Sequence, residues 1–203
     1  MVLGPIVSIV ISTMENMGYL GLLILMILES LALPIPSEVI LPFSGYLIYL
    51  GKLNLALTII DATVASIIGS LVEYALSYYI GYSVVLKVGK FMGLTESHLK
   101  LAESWFNKYG WLSIIAAKFV PGVRALISIP AGIARMNIWL FILCTTVGSV
   151  IWNTALIYIG LMFGTSWETG LATITRYADY LALAFVFIII LLVLVFKRRS
   201  ANA

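Results

Sequence analysis

Leu33-Pro34-Ile35-Pro36-Ser37-Glu38 decides how this chain folds. Two prolines spaced Pro-x-Pro cannot continue a helix, because each lacks an N–H and each restricts the residue before it. Apolar arms lie on both sides, Gly18–Leu31 and Val39–Leu50. At 1.5 Å per helical residue the second arm reaches about 20 Å, short of a hydrocarbon core of about 30 Å. The reading is a re-entrant hairpin over residues 17–50, with its tip at Pro34–Glu38.

A second break has the same form. Trp111–Ala117 is apolar for only about a third of a bilayer. Lys118-Phe119-Val120-Pro121-Gly122-Val123-Arg124 follows, then a short apolar arm closed by Pro130-Ala131-Gly132. Neither arm crosses alone, so residues 111–134 form a second hairpin. Three segments are long enough to cross, 54–82, 138–164 and 178–197, the last with its apolar core at Tyr180–Phe196. Residues 1–13 are too short to span and lie in the interface. Residues 86–109 mix charged and apolar positions as an amphipathic surface helix does.

Composition agrees with a membrane protein. Of 203 residues, 62% are hydrophobic and 10% charged, with a mean hydropathy of +1.10. A soluble domain carries roughly a quarter of its residues charged. The net charge of +3 is no nucleic-acid signature, since the basic residues sit between apolar segments. No basic residue precedes Ile6–Ile11, which argues against a cleaved signal peptide. Cys144 and His98 are each the sole residue of their kind. Zinc sites, Cys-His pairs, Ser-His-Asp triads and paired-histidine phosphatases therefore fall away. Trp105, Trp111, Trp139 and Trp167 suit an aromatic belt, and Trp152, deeper in its span, reads as packing.

A hairpin returns to its own side, so three true crossings fix the orientation. A cytoplasmic C-terminus puts Lys87, Lys90, Lys100, Lys108, Arg135, Lys197, Arg198 and Arg199 inside, leaving Lys52 and Arg176 outside. That is the positive-inside bias. The first hairpin then enters from outside and the second from the cytoplasm, an inverted pair. Interrupted hydrophobic segments at corresponding places in two halves point to a transporter binding site.

Glu29, Glu38, Glu73, Lys118 and Arg124 fall inside apolar segments or hairpin tips. Each charge costs about 2.5–3.5 kcal/mol at mid-membrane on insertion scales, so these must pair, neutralise or line a wet cavity. Lys118 and Arg124 flank Pro121-Gly122. A guanidinium forks onto phosphate and an ammonium adds a mobile point charge, which suits a phosphorylated headgroup. Backbone N–H groups freed after Pro121-Gly122 add donors. The plainer alternative is that Lys118 and Arg124 only neutralise Glu29 and Glu38, locking the hairpins. Thr63, Ser66, Ser70, Glu73 and Ser77 share one face of their span, as bundle packing requires.

At these residues the chain resembles the DedA family, also called the SNARE-associated Golgi protein or VTT family. The shared motifs are Glu29-x4-Pro34-x-Pro36-x-Glu38 with Gly45, Phe106-x2-Tyr109-Gly110, and Lys118 through Arg124. Pro130-Ala131-Gly132-x3-Met136, Gly148-x3-Trp152 and Tyr158-x-Gly160 complete the set, which covers roughly residues 15–165. The resemblance implies opposed re-entrant hairpins and lipid translocation, in bacterial members the recycling of undecaprenyl phosphate, coupled to an ion gradient. The family's acidic pair carries over to Glu29 and Glu38, its basic pair to Lys118 and Arg124. One departure stands out: the family usually has arginine where this chain has Lys118, which keeps the charge and loses the fork.

The expected molecule is all-α, a single polytopic integral membrane domain with two inverted re-entrant hairpins, each followed by a transmembrane helix, plus a C-terminal transmembrane helix. It sits in the inner or plasma membrane and moves a polyprenyl phosphate such as undecaprenyl phosphate to the cytoplasmic leaflet. Lys118, Arg124, Pro121 and Gly122 hold the substrate; Glu29, Glu38 and Glu73 carry protons or sodium. No cofactor, metal, catalytic group or nucleic-acid partner is expected, and a homo-oligomer is left open. The alternatives are a passive phospholipid scramblase and a non-transporting membrane assembly factor.

Overall fold

The structure is a computed structural model and describes residues 3–31, 33, 35–80, 106, 109–120 and 123–166. Most of the surface helix expected over 86–109, the C-terminal span over 178–197, and Pro121 and Gly122 lie outside those residues. Val10–Gly164 form one compact unit, which holds the residues of the site described below.

Among the described residues every regular element is helical. In chain order they are α1 (Leu3–Met17), α2 (Tyr19–Ser30), α3 (Ser37–Tyr49), α4 (Leu55–Ile80), α5 (Trp111–Ala117), α6 (Val123–Leu126), α7 (Ser128–Ile133) and α8 (Ile138–Phe163), with a 3-10 turn at Gly164–Ser166. The helix breaks fall where the prolines and glycines put them. Pro36 caps α3 in an extended conformation, which ends any continuation from α2. Gly18 precedes α2 at φ 56° and Gly110 precedes α5 at φ 55°, a region costly for side chains with a Cβ. Asn54 Oδ1 accepts from the backbone N–H groups of Ala56 and Leu57, opening α4; Asn137 Oδ1 accepts from those of Trp139 and Leu140, opening α8. These are side-chain N-caps. The two halves thus repeat one order of parts: left-handed glycine, short helix, break, second arm, asparagine cap, 26-residue helix.

The second break is more fragmented than its sequence suggests. Its second arm divides at Ile127 into α6 and α7, and Pro130-Ala131-Gly132 lie within α7 instead of closing the arm. Pro130 sits in the first turn of α7, where a helix needs no N–H from it. The arm closes at Ala134 and Arg135, the latter at φ 51° with its guanidinium 5.2 Å from the Tyr78 ring centre.

α4 and α8 pack together at the centre. α4 also carries α2 and α7, while α8 carries α3 and α5, so each long helix holds one arm from each broken pair. Glycine makes these approaches possible. A Cβ on Gly45 of α3 would lie 2.7 Å from Leu161 N of α8, and one on Gly132 of α7 would lie 2.8 Å from Ser77 Cβ of α4. Gly160 faces the Pro42 backbone, and Gly164, which ends α8, meets the Tyr49 ring. The Gly160-x-x-x-Gly164 step therefore serves packing, as its spacing predicts.

Polarity runs opposite to that of a water-soluble bundle. On α4, Thr63, Ser66, Ser70, Glu73 and Ser77 are buried, while Leu57, Ile60, Val64, Ile68, Val72 and Leu76 are exposed. On α8, Thr145, Ser149 and Asn153 are buried, while Leu143, Val147, Ile151 and Met162 are exposed. Apolar residues outward and polar residues inward suit a lipid solvent. Among the described residues two helices are long and apolar enough to cross a membrane, Leu55–Tyr79 and Ile138–Phe163.

Candidate functional site

The breaks bring the charged residues together in the interior. Glu29 comes from the last turn of α2, Glu73 from α4, Lys118 from the end of α5 and Arg124 from α6; all four are buried. Arg124 Nη2 donates to Glu29 Oε2 at 3.1 Å, closing an ion pair between residues 95 apart in the chain. Ser30 Oγ reaches the same oxygen at a long 3.4 Å. A buried charge that lost such a partner would be strongly destabilising.

Lys118 is held differently. Its stem lies against Gly148 of α8, where a Cβ would come within 2.8 Å of Lys118 Cγ. Its Nζ donates to Ser70 Oγ of α4 at 2.9 Å. The lysine therefore crosses from one long helix to the other, with an ammonium anchored to a neutral hydroxyl. Arg124, Glu29 and Glu73 all lie close enough to act on its charge.

Glu38 stands at the margin of this group. It occupies the first turn of α3, is partly buried, and is near enough to Glu29 for the two carboxylates to repel. Ser37 Oγ approaches Glu38 Oε2 at 3.4 Å. The simple scheme in which two basic residues neutralise Glu29 and Glu38 is thus half realised: Arg124 takes Glu29, whereas Lys118 takes a serine. Pro121 and Gly122, the remaining expected substrate residues, lie outside the described residues.

Some buried polar atoms have no partner among the described residues, including Arg124 Nη1, Glu73 Oε2 and Trp152 Nε1. The Arg124 guanidinium lies 5.7 Å from the centre of the Trp152 ring. Phe119 meets that ring edge-on at 6.3 Å. In the sequence Ser70 was legible as part of a polar stripe, and Gly148 and Trp152 as the motif Gly148-x3-Trp152, with Trp152 read as packing. The signal available for the last two is their spacing of four, which puts them on one face of α8 beneath the second break.

The whole arrangement is a mixed-sign cluster, three carboxylates with two cations, among helices that include the two long and apolar enough to cross a membrane. Chemically, its guanidinium and ammonium groups suit an anion, and its carboxylates suit a cation or a proton.

Comparison with known proteins supplies the family. The VTT domain matches residues 35–162. An "Alkaline phosphatase-like protein" of Lactococcus lactis subsp. lactis is 35% identical over 197 residues, covering 95% of this chain and 92% of that protein. "Undecaprenyl phosphate transporter A" of Bacillus subtilis is 32% identical over 199 residues, covering 98% of each. The protein of the same name from Staphylococcus aureus is 36% identical over 176 residues, covering 83% of this chain and 87% of the other. No solved structure matches the chain. A VTT domain over residues 35–162 and relatives spanning nearly the full length make this chain a member of the VTT-domain family of membrane proteins, the DedA family.

Proposed function

We propose that the protein carries a polyprenyl phosphate, such as undecaprenyl phosphate, from the outer to the cytoplasmic leaflet, driven by a proton or sodium gradient. The observation that carries this reading is the buried Arg124–Glu29 pair, set beside Lys118 and Glu73. With all groups ionised, Glu29, Glu38 and Glu73 outweigh Lys118 and Arg124 by one negative charge. A phosphate arriving at Arg124 competes with Glu29 for the guanidinium and adds more negative charge. In a medium this poor in water the displaced carboxylate must be neutralised, and a proton or a sodium ion does so. Substrate binding and cation uptake are then one event. The relatives named as undecaprenyl phosphate transporters support the choice of lipid.

In this reading the α2–α3 and α5–α7 segments are re-entrant hairpins entering from opposite sides. They belong to one membrane domain in the inner or plasma membrane, whose third span lies near the C-terminus, with that end in the cytoplasm. Pro121, which has no N–H, breaks the helix, and the backbone N–H groups freed from Gly122 onward contribute donors to the headgroup.

Purified protein in vesicles loaded with undecaprenyl phosphate tests the reading. Movement of the lipid between leaflets should accelerate under an imposed proton or sodium gradient and should collapse when the gradient is dissipated. Glu29→Gln and Glu38→Gln should each uncouple movement from the gradient. Gradient-independent movement of ordinary phospholipids would favour a passive scramblase, and release of inorganic phosphate in the same vesicles would favour an enzyme. No lipid movement with intact headgroup binding would favour an assembly factor.

Orientation has its own test. In a Cys144→Ser background, single cysteines at Lys52 and Arg176 should react with an impermeant thiol reagent on intact cells. Cysteines at Lys90, Arg135 and Ser200 should stay protected. The opposite pattern would reverse the hairpins.

A further inference from the structure

The two orphaned donors beside the ion pair belong together. Arg124 uses Nη2 on Glu29 and leaves Nη1 buried without a partner among the described residues. Trp152 Nε1, on the facing helix α8, is likewise buried and unpartnered. A buried N–H left unpaired is costly, more so for a charged group. Two such atoms on side chains 5.7 Å apart, guanidinium carbon to ring centre, are not scattered packing defects. The guanidinium lies over the indole ring, so both orphaned donors belong to side chains in contact.

We propose that Arg124 Nη1 and the Trp152 indole N–H form a two-donor seat for one phosphate oxygen of the headgroup, with Trp152 as a direct substrate contact. The proposal rests on the reading above that this site takes a phosphorylated lipid. An indole nitrogen can only donate, so the seat recognises an acceptor and rejects cations and ammonium headgroups. Arg124 can fill the seat while Nη2 still holds Glu29, so the lipid is first engaged before the ion pair opens. The surroundings suit a lipid whose charged end is buried and whose chain is not. Phe119, packed edge-on against Trp152, is 39% exposed, and its neighbours Val120 and Val123 are also exposed. The seat is therefore flanked by an apolar surface along which a hydrocarbon tail can leave sideways into the bilayer.

Trp152→Phe removes the N–H and keeps an aromatic ring under Arg124 and against Phe119. In detergent-purified full-length protein its affinity for undecaprenyl phosphate should fall about tenfold or more, the scale of a lost hydrogen bond to a charged group. The thermal midpoint should hold. A second measurement stands even if that variant misfolds. In protein carrying Phe at positions 105, 111, 139 and 167, the nitrogen-15 indole N–H signal of Trp152 should shift downfield on adding undecaprenyl phosphate. Inorganic phosphate should shift it in the same direction at higher concentration, and undecaprenol should leave it in place. An unmoved signal with undecaprenyl phosphate, an equal shift with undecaprenol, or full affinity in folded Trp152→Phe protein each overturns the seat. Arg124→Ala separates the two levels of the argument. If it loses the lipid while Trp152→Phe keeps it, the seat is wrong and the phosphate site stands; if neither variant loses the lipid, the phosphate site itself falls.

Discussion

Arg124→Ala is expected to weaken binding of undecaprenyl phosphate by about a hundredfold or more and to destabilise the folded protein by about 3–5 kcal/mol. The two effects have different origins. Affinity falls because, in the proposed site, the guanidinium is the fork that grips phosphate, and charge-assisted bonds of that kind are among the strong ones. Stability falls because Glu29, 7% exposed and bonded to Arg124 Nη2 at 3.1 Å, is left as an uncompensated buried carboxylate. A second substitution separates them. Arg124→Ala with Glu29→Gln removes the orphaned charge, so the thermal midpoint in detergent should recover most of its loss while lipid affinity stays low. Recovery of both quantities would mean that Arg124 acts only as a lock on Glu29.

Gly160→Val should be the most damaging substitution in the fold, costing about 3 kcal/mol or more through forced separation of α3 from α8. A Cβ at Gly160 would lie 2.5 Å from the Pro42 carbonyl carbon, and backbone cannot swing away as a side chain can. α3 has no slack there, since Pro42 sits inside the helix and Ser44 Oγ already bonds to Leu41 O at 2.6 Å. The expected readout is a large drop in thermal midpoint with protease cleavage between α3 and α4. Gly148→Ala gives the contrast. Its new Cβ meets the Lys118 stem at 2.8 Å, a flexible side chain, so the fold should survive while the Lys118–Ser70 bond is disturbed. Equal destabilisation by the two variants would show that the Pro42–Gly160 approach is no tighter than its neighbours.

Much of this was legible before any coordinates. Pro34-x-Pro36 and Pro121-Gly122 announced that helices had to stop in the middle of apolar stretches, and the stripe from Thr63 to Ser77 announced the inward face of α4. Insertion cost alone singled out Glu29, Glu38, Glu73, Lys118 and Arg124 as a group needing company, and all but Glu38 are buried. Who meets whom was not legible. Glu29 and Arg124 lie 95 residues apart, and their pairing depends on how a four-residue helix, α6, is aimed. By charge Lys118 suits any carboxylate, yet its stem is routed by a glycine on α8 toward a hydroxyl on α4. A lone glycine in an apolar helix does not say which backbone will press against it. Trp152 shows the same limit. Its depth in the span suggested packing, and its orphaned N–H beside Arg124 suggests a second task.

Each long helix carries one arm from each broken pair, α2 and α7 on α4, α3 and α5 on α8. This amounts to a cross-braced frame. In a molecule whose halves were merely side by side, one broken pair could shift while the other stayed at rest. Here a slip of α4 along α8 would pull on both broken pairs at once, through the glycine contacts that hold arms to the long helices. For the transporter proposed above, opening toward one face and closing toward the other would then be the two ends of a single stroke.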